Sequence, residues 1–201
     1  MRLKLTPEEQ AQLASARPVD PQAHEAYLRG TFFLSQSTYD GVEKGMTLLH
    51  EAVTRDPSHP LPYAHLAAGY ATLGHGLSPP PDAFSRARAA ALRALELDDG
   101  VALAHTVLGE LILYGERTWD WSAAEQSFRR ATELNPTLAR AHAHYAWYLV
   151  LFGRWEEALA SMRRARKVDP WRPSGPRGKG GSTGQRIAPT TRFARFVCRW
   201  S

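Results

Sequence analysis

Eight histidines, 20 acidic residues and the triplet Trp119-Asp120-Trp121 are the groups in this chain best suited to chemistry, and their spacing decides whether any of it follows. A helical zinc site of the hydrolase type needs two histidines four residues apart with an acid between them, and no His-Glu-x-x-His occurs. His142 and His144 stand two apart, so a helix points them to different faces. The run GPRGKGGSTG, from Gly175 to Gly184, has the composition of a phosphate-gripping loop, but Gly180 follows Lys179 where Ser or Thr is required, and no strand leads into it. The acid pairs Asp98-Asp99 and Glu156-Glu157 fall at helix ends, where caps and solvated faces account for them. No pattern brings a nucleophile, a base and an orienting group to one place, so no enzyme activity, cofactor or metal site is expected. Two Trp flanking an Asp would make a sugar or base platform. At a helix entrance the commoner role is to close a turn over the core with one ring face.

The elements that carry these residues are marked by proline. Asn135-Pro136 and Asp169-Pro170 frame a stretch of 34 residues in which ARAHAHYAWYLVLFG is one amphipathic helix, Gly153 a turn, and RWEEALASMRRARKV a second helix. A helix does not readily continue into Pro. Equivalent second-helix ends recur as EAVTRDP, RALELDD, RATELNP and RARKVDP, at spacings of 42, 37 and 34 residues, so two units carry insertions between their helices. One hairpin cannot bury its own apolar face, and copies are what stacking requires.

The period and the small residues resemble those of the tetratricopeptide repeat, a 34-residue helix-turn-helix unit. Ala146 stands at the family's small eighth position, Ala158 at the twentieth, Met162 at the usual Phe, Ala165 at the twenty-seventh and Pro170 at the thirty-second. In the third unit Gly109, Ala124, Phe128 and Ala131 keep the same spacing. The resemblance implies an all-α superhelix, or solenoid, of about four hairpins over 21–170, in units of approximately 21–57, 58–99, 100–136 and 137–170. Residues 1–20 form a leading helix and linker, opened by a capping box from Thr6 to Glu9. Asp82 is the expected N-cap of the fourth helix of the repeats, and Ser122 with Glu125 a capping box for the sixth. The opening RLKLTPEEQAQLASARPVDPQAHEAYLRG also resembles the junction after a TolB-like region in bacterial winged-helix regulators of the CadC type, adenylate cyclases and Ser/Thr kinases. None of those effector domains is present in this sequence.

Charge divides the chain. The net charge is +5, yet residues 171–201 hold seven Arg or Lys and no acid, which leaves a body of net −2. That tail has five Gly, three Pro and no helical period, and reads as disordered. Phe193, Phe196 and Trp200 among its basic residues would give weak stacking on nucleic acid, but the abrupt shift of composition at a repeat boundary fits a shifted reading frame better. Cys198 has no partner for a disulfide. No apolar run reaches the ~20 residues of a spanning helix, MRLKLTPEEQ lacks the apolar stretch of a secretory signal, and a cytoplasmic location without membrane association is expected.

First helices of successive units line the concave side of such a superhelix, so their outward positions form a groove for a protein or peptide partner. Arg140, His144, Trp147 and Leu151 lie on one stripe of the fourth unit. Glu110 and Tyr114 on the third unit, and His65, Ala68 and Thr72 on the second, are their counterparts. Tyr145, Tyr148 and Phe152 fall on the core stripe. A partner with an apolar anchor and a carboxylate for Arg140 would suit this surface, and the alternative is that Trp147 is covered by a further repeat, which would also make the last unit's end a self-association surface. The expected function is therefore an interaction scaffold. The alternative is the regulatory or sensory region of a transcriptional regulator, cyclase or kinase.

Overall fold

Proline, aspartate and asparagine punctuate the chain, and each sets where a helix begins or stops. The computed structural model describes residues 6, 20–36, 38–76, 79–114 and 120–169. Within them run eight α-helices: α1 Pro21–Ser35, α2 Tyr39–Arg55, α3 Pro60–Gly74, α4 Ala83–Leu97, α5 Ala102–Tyr114, α6 Trp121–Leu134, α7 Ala139–Leu151 and α8 Trp155–Val168. No strand occurs among the described residues. The expected leading helix, Trp119 and the basic tail lie outside them.

Helix starts use the side chains at hand. Asp20 accepts hydrogen bonds from the Gln22 and Ala23 amides at 2.8 and 2.9 Å, with Pro21 in the first turn of α1. Thr38 accepts from Gly41 N–H at 3.0 Å to start α2. The capping box expected at Ser122 and Glu125 is corrected by the structure. The cap of α6 is Asp120, which accepts from Ala123 N–H at 3.0 Å, and Glu125 turns away to ion pairs on the helix flank. Asp82 does stand at the N-cap of α4, but its carboxylate takes Arg86 at 2.6 Å rather than a backbone amide.

The second helix of every hairpin ends in one way. Asp56, Asp98, Asn135 and Asp169 leave the helix in extended geometry while their amides still donate to Ala52, Ala94, Ala131 and Ala165. The first three then fold the side chain over the turn: Oδ1 of Asp56, Asp98 and Asn135 accepts from the amide two residues on. A latch follows six residues after the turn. Tyr63 donates to the Pro57 carbonyl at 3.2 Å, His105 to Asp99 at 2.9 Å and His142 to Pro136 at 2.9 Å, so a polar ring at the same place in three units ties each first helix to the turn before it. This accounts for two of the eight histidines.

Small residues let the helices of a hairpin touch. Ala64, Ala67 and Ala71 on α3 and Ala87, Ala91 and Ala94 on α4 are all fully buried. In the third hairpin Gly109 faces the buried Phe128 ring, and a Cβ there would lie 2.8 Å from a ring carbon. The fourth hairpin has Ala146 and Met162 at the equivalent positions, a larger residue across from a slimmer and more pliable one. Its turn is made by Gly153 at φ +70°, a left-handed conformation that favours glycine.

The order of contacts gives the curvature. Each hairpin packs within itself, and each second helix packs on the next first helix. First helices also touch one another, α1 on α3, α3 on α5 and α5 on α7. Second helices stand farther apart: among the described residues no Cα atoms of α2 and α4, of α4 and α6, or of α6 and α8 come within 8 Å of each other. An inner layer that is close-packed and an outer layer that is splayed is a stack bent toward the first helices. These line the concave side.

Candidate functional site

The inner layer places a buried carboxylate at the middle of the concave groove. Glu110 on α5 has a side chain only 1% exposed and is surrounded by groups from three units. Arg140 on α7, 13% exposed, holds both oxygens, with Nη2 at 2.9 Å from Oε1 and 2.8 Å from Oε2 and Nε at 3.2 Å from Oε2. Nε2 of His75, at the end of α3, lies 3.2 Å from Oε1, and Nε2 of His144 on α7 lies 3.5 Å from Oε2. Burial alone would raise the Glu110 pKa. The charges of Arg140 and His144, with hydrogen bonds from His75 and Arg140, overcome it and hold the carboxyl well below the usual carboxylate range.

Around this pair the lining is aromatic. Tyr114 is 46% exposed and sits edge-on between His75 at 5.1 Å and His144 at 6.1 Å. Burial, then the Glu110 charge, pushes its hydroxyl pKa far up, so it stays neutral. His65 donates from Nδ1 to the Leu61 carbonyl at 3.0 Å and meets the Tyr27 ring edge-on at 5.4 Å. Its pKa is lowered, chiefly by burial and also by the charge of Arg140, against a raising contribution from the Leu61 carbonyl. Thr72 is exposed and gives its hydroxyl back to Ala68 at 2.8 Å.

The structure thus brings Glu110, Tyr114, Arg140 and His144 into one cluster and sets His65 and Thr72 on the same inner layer. Ala68 is nearly covered and presents little surface. Trp147 is half-buried against the core of the last two hairpins, and Leu151 is 56% exposed at the end of α7. Arg140 is already occupied by Glu110, which sits 30 residues earlier in the chain. His75 is the member that sequence reasoning missed: it follows Gly74 where the helical period stops, and nothing local marks it as facing Glu110.

A second cluster braces the outer side of the same joint. Glu125 on α6 receives Arg154 at 2.6 Å, Arg129 at 2.9 Å and the Tyr145 and Tyr148 hydroxyls at 3.2 and 3.4 Å. Burial would raise its pKa, but the hydrogen bonds of Arg154 and Arg129 bring it down to about 2. Tyr148 is buried and Tyr145 stacks on Phe128, as expected of core residues. Phe152, assigned to the same stripe, is largely exposed and rests by its ring against Trp121 and Tyr148.

No helix among the described residues is long and apolar enough to cross a membrane. No family model matches the chain. Over 147 residues it is 31% identical to the transcriptional regulator HilA of Salmonella typhimurium, a match that covers 73% of this chain and 26% of that protein, and it matches HilA of Salmonella typhi to the same extent. The chain thus spans about a quarter of the length of the curated relatives it matches. Among solved structures, the thermophilic TPR protein TTC0263 of Thermus thermophilus superposes with a TM-score of 0.56 at 17% identity, covering 74% of this chain and 75% of that one. Four stacked hairpins with small residues at their crossings, a splayed outer layer and this likeness identify the fold: the chain has the fold of a tetratricopeptide-repeat solenoid.

Proposed function

We propose that the chain is a scaffold that binds a protein or peptide partner along the groove of α1, α3, α5 and α7. The observation that carries this reading is the segregation of the two layers. The inner helices adjoin one another and present Leu61, Thr72, Tyr114 and Leu151 to solvent, while the outer helices stand apart and carry the charge. Apolar and aromatic side chains exposed along a concave surface are what a docking segment would cover. The fold by itself does not name a partner.

A second reading has the same groove acting within a longer regulator, as a regulatory or sensory region whose effector domain lies elsewhere. The match to HilA favours it, since that relative is a transcriptional regulator several times longer than the matched segment. Reading the genomic sequence on both sides of this chain separates the two: an adjoining effector domain in frame supports the regulatory reading, and flanking stop codons remove it. The groove is tested by placing a photo-crosslinking residue at Tyr114, Trp147 or the outer-face Arg163 in cells of the source organism. Crosslinks to one partner from the first two positions and not the third support the concave site, and crosslinks from Arg163 alone place the contact on the wrong side.

A further inference from the structure

We propose that the groove takes a partner segment carrying no formal charge on the face it presents, and that Glu110 and Arg140 keep the groove neutral rather than receive a partner's charge. The proposal rests on the concave-face reading above and deepens it.

Charge in this molecule follows the layers. Across its whole length α3 contains no Asp, Glu, Lys or Arg. The only such residue in α5 is Glu110, and the only one in α7 is Arg140. These two neutralise each other, and both carboxylate oxygens are taken by the guanidinium at 2.8 and 2.9 Å. The pair on α1, Glu25 with Arg29, is likewise internal at 3.7 Å. The outer layer is the opposite. Ion pairs Glu51 with Arg55, Asp82 with Arg86, Arg93 with Glu96 and Glu125 with Arg129 decorate α2, α4 and α6, and α8 carries six charged residues in 14.

A partner's carboxylate entering this groove would lose water and find Arg140 already held in a bidentate bond, with Nε2 of His75 and of His144 turned to the same Glu110 oxygens, and a partner's ammonium would find a carboxylate that is 1% exposed. Neither charge is compensated. An apolar or aromatic side chain meets no such penalty beside Tyr114, Leu61 or Leu151. His65 is held neutral by burial, which keeps the second unit's stretch uncharged as well. The partner that fits is a neutral segment with apolar or aromatic anchors.

The test pans a random peptide display library against the full chain at low and at high salt. The expected peptides have a bound core free of Asp, Glu, Lys and Arg and rich in Leu, Phe, Tyr or Trp. A synthetic representative should change affinity by less than about threefold across the salt range, weaken about tenfold or more in Tyr114→Ala, and be indifferent to the outer-face change Arg163→Ala. Glu110→Gln, which frees the Arg140 charge, should turn selection toward acidic peptides, and Arg140→Gln toward basic ones. Should either variant fail to melt cooperatively, the other variant and the salt series on the unchanged chain decide. Groove-mapped peptides with charged cores and steep salt dependence overturn the neutral-partner proposal and leave the concave site standing. Peptides that map to the outer helices, or none recovered at all, overturn the concave site and this proposal with it.

Discussion

Glu110 is a carboxylate that the fold keeps ionised out of water, and Arg140 is the reason it can be kept there. Removing one member of such a pair leaves the other buried and uncompensated, so Arg140→Met should destabilise the chain by ~3–5 kcal/mol, read as a shift of the urea midpoint. The pH dependence has a definite sign. The folded pKa of Glu110 lies below its unfolded value of about 4.3. Its contribution is therefore complete above that value and is lost as pH falls from there toward the folded pKa. The stability difference between the unchanged chain and Glu110→Gln should stay constant from neutral pH to about 5 and shrink below about 4.

At the scale of the helix, three units share one device, the ring that bonds back to the preceding turn, and they fill it with Tyr63, His105 and His142. His142→Tyr should therefore be tolerated, whereas His142→Phe keeps the ring and loses the bond, at a cost of about 1 kcal/mol in thermal or urea unfolding. Gly109→Ala should cost ~1–3 kcal/mol, because the Phe128 ring that a Cβ would meet is fully buried and cannot step aside. Helix positions were legible in the sequence because proline, glycine and terminal Asp or Asn act through local geometry: the hairpin framed by Pro136 and Pro170, with its turn at Gly153, is α7 Ala139–Leu151 and α8 Trp155–Val168 in the structure. The small residues at hairpin crossings were legible for the same reason, since a fixed period places them. The cap at Asp120 was missed because Ser122 offered a better-known pattern two residues later. The join of Glu110 to Arg140 was missed because it crosses between units, and a stripe drawn on a single helix carries no information about which residue of another helix it faces. Arg140 looked open to a partner's carboxylate for that reason.

For the molecule as a whole, stacked units with only nearest-neighbour contacts lose order from their ends inward. Amide exchange should be slowest in α3 to α7 and fastest in α1 and α8, and uniform protection across all eight helices would show a single cooperative block instead. The layer difference has a mechanical side. A bent stack whose inner helices touch while the outer ones are separated behaves as a beam pinned along one edge: flexing it leaves the inner line at nearly constant length and takes up the strain in the gaps between α2, α4, α6 and α8. Glu110 and Arg140 lie on that line, so flexing of the stack leaves their bond in place. At the last joint the outer cluster of Glu125 and Arg154 is the contact such flexing would load.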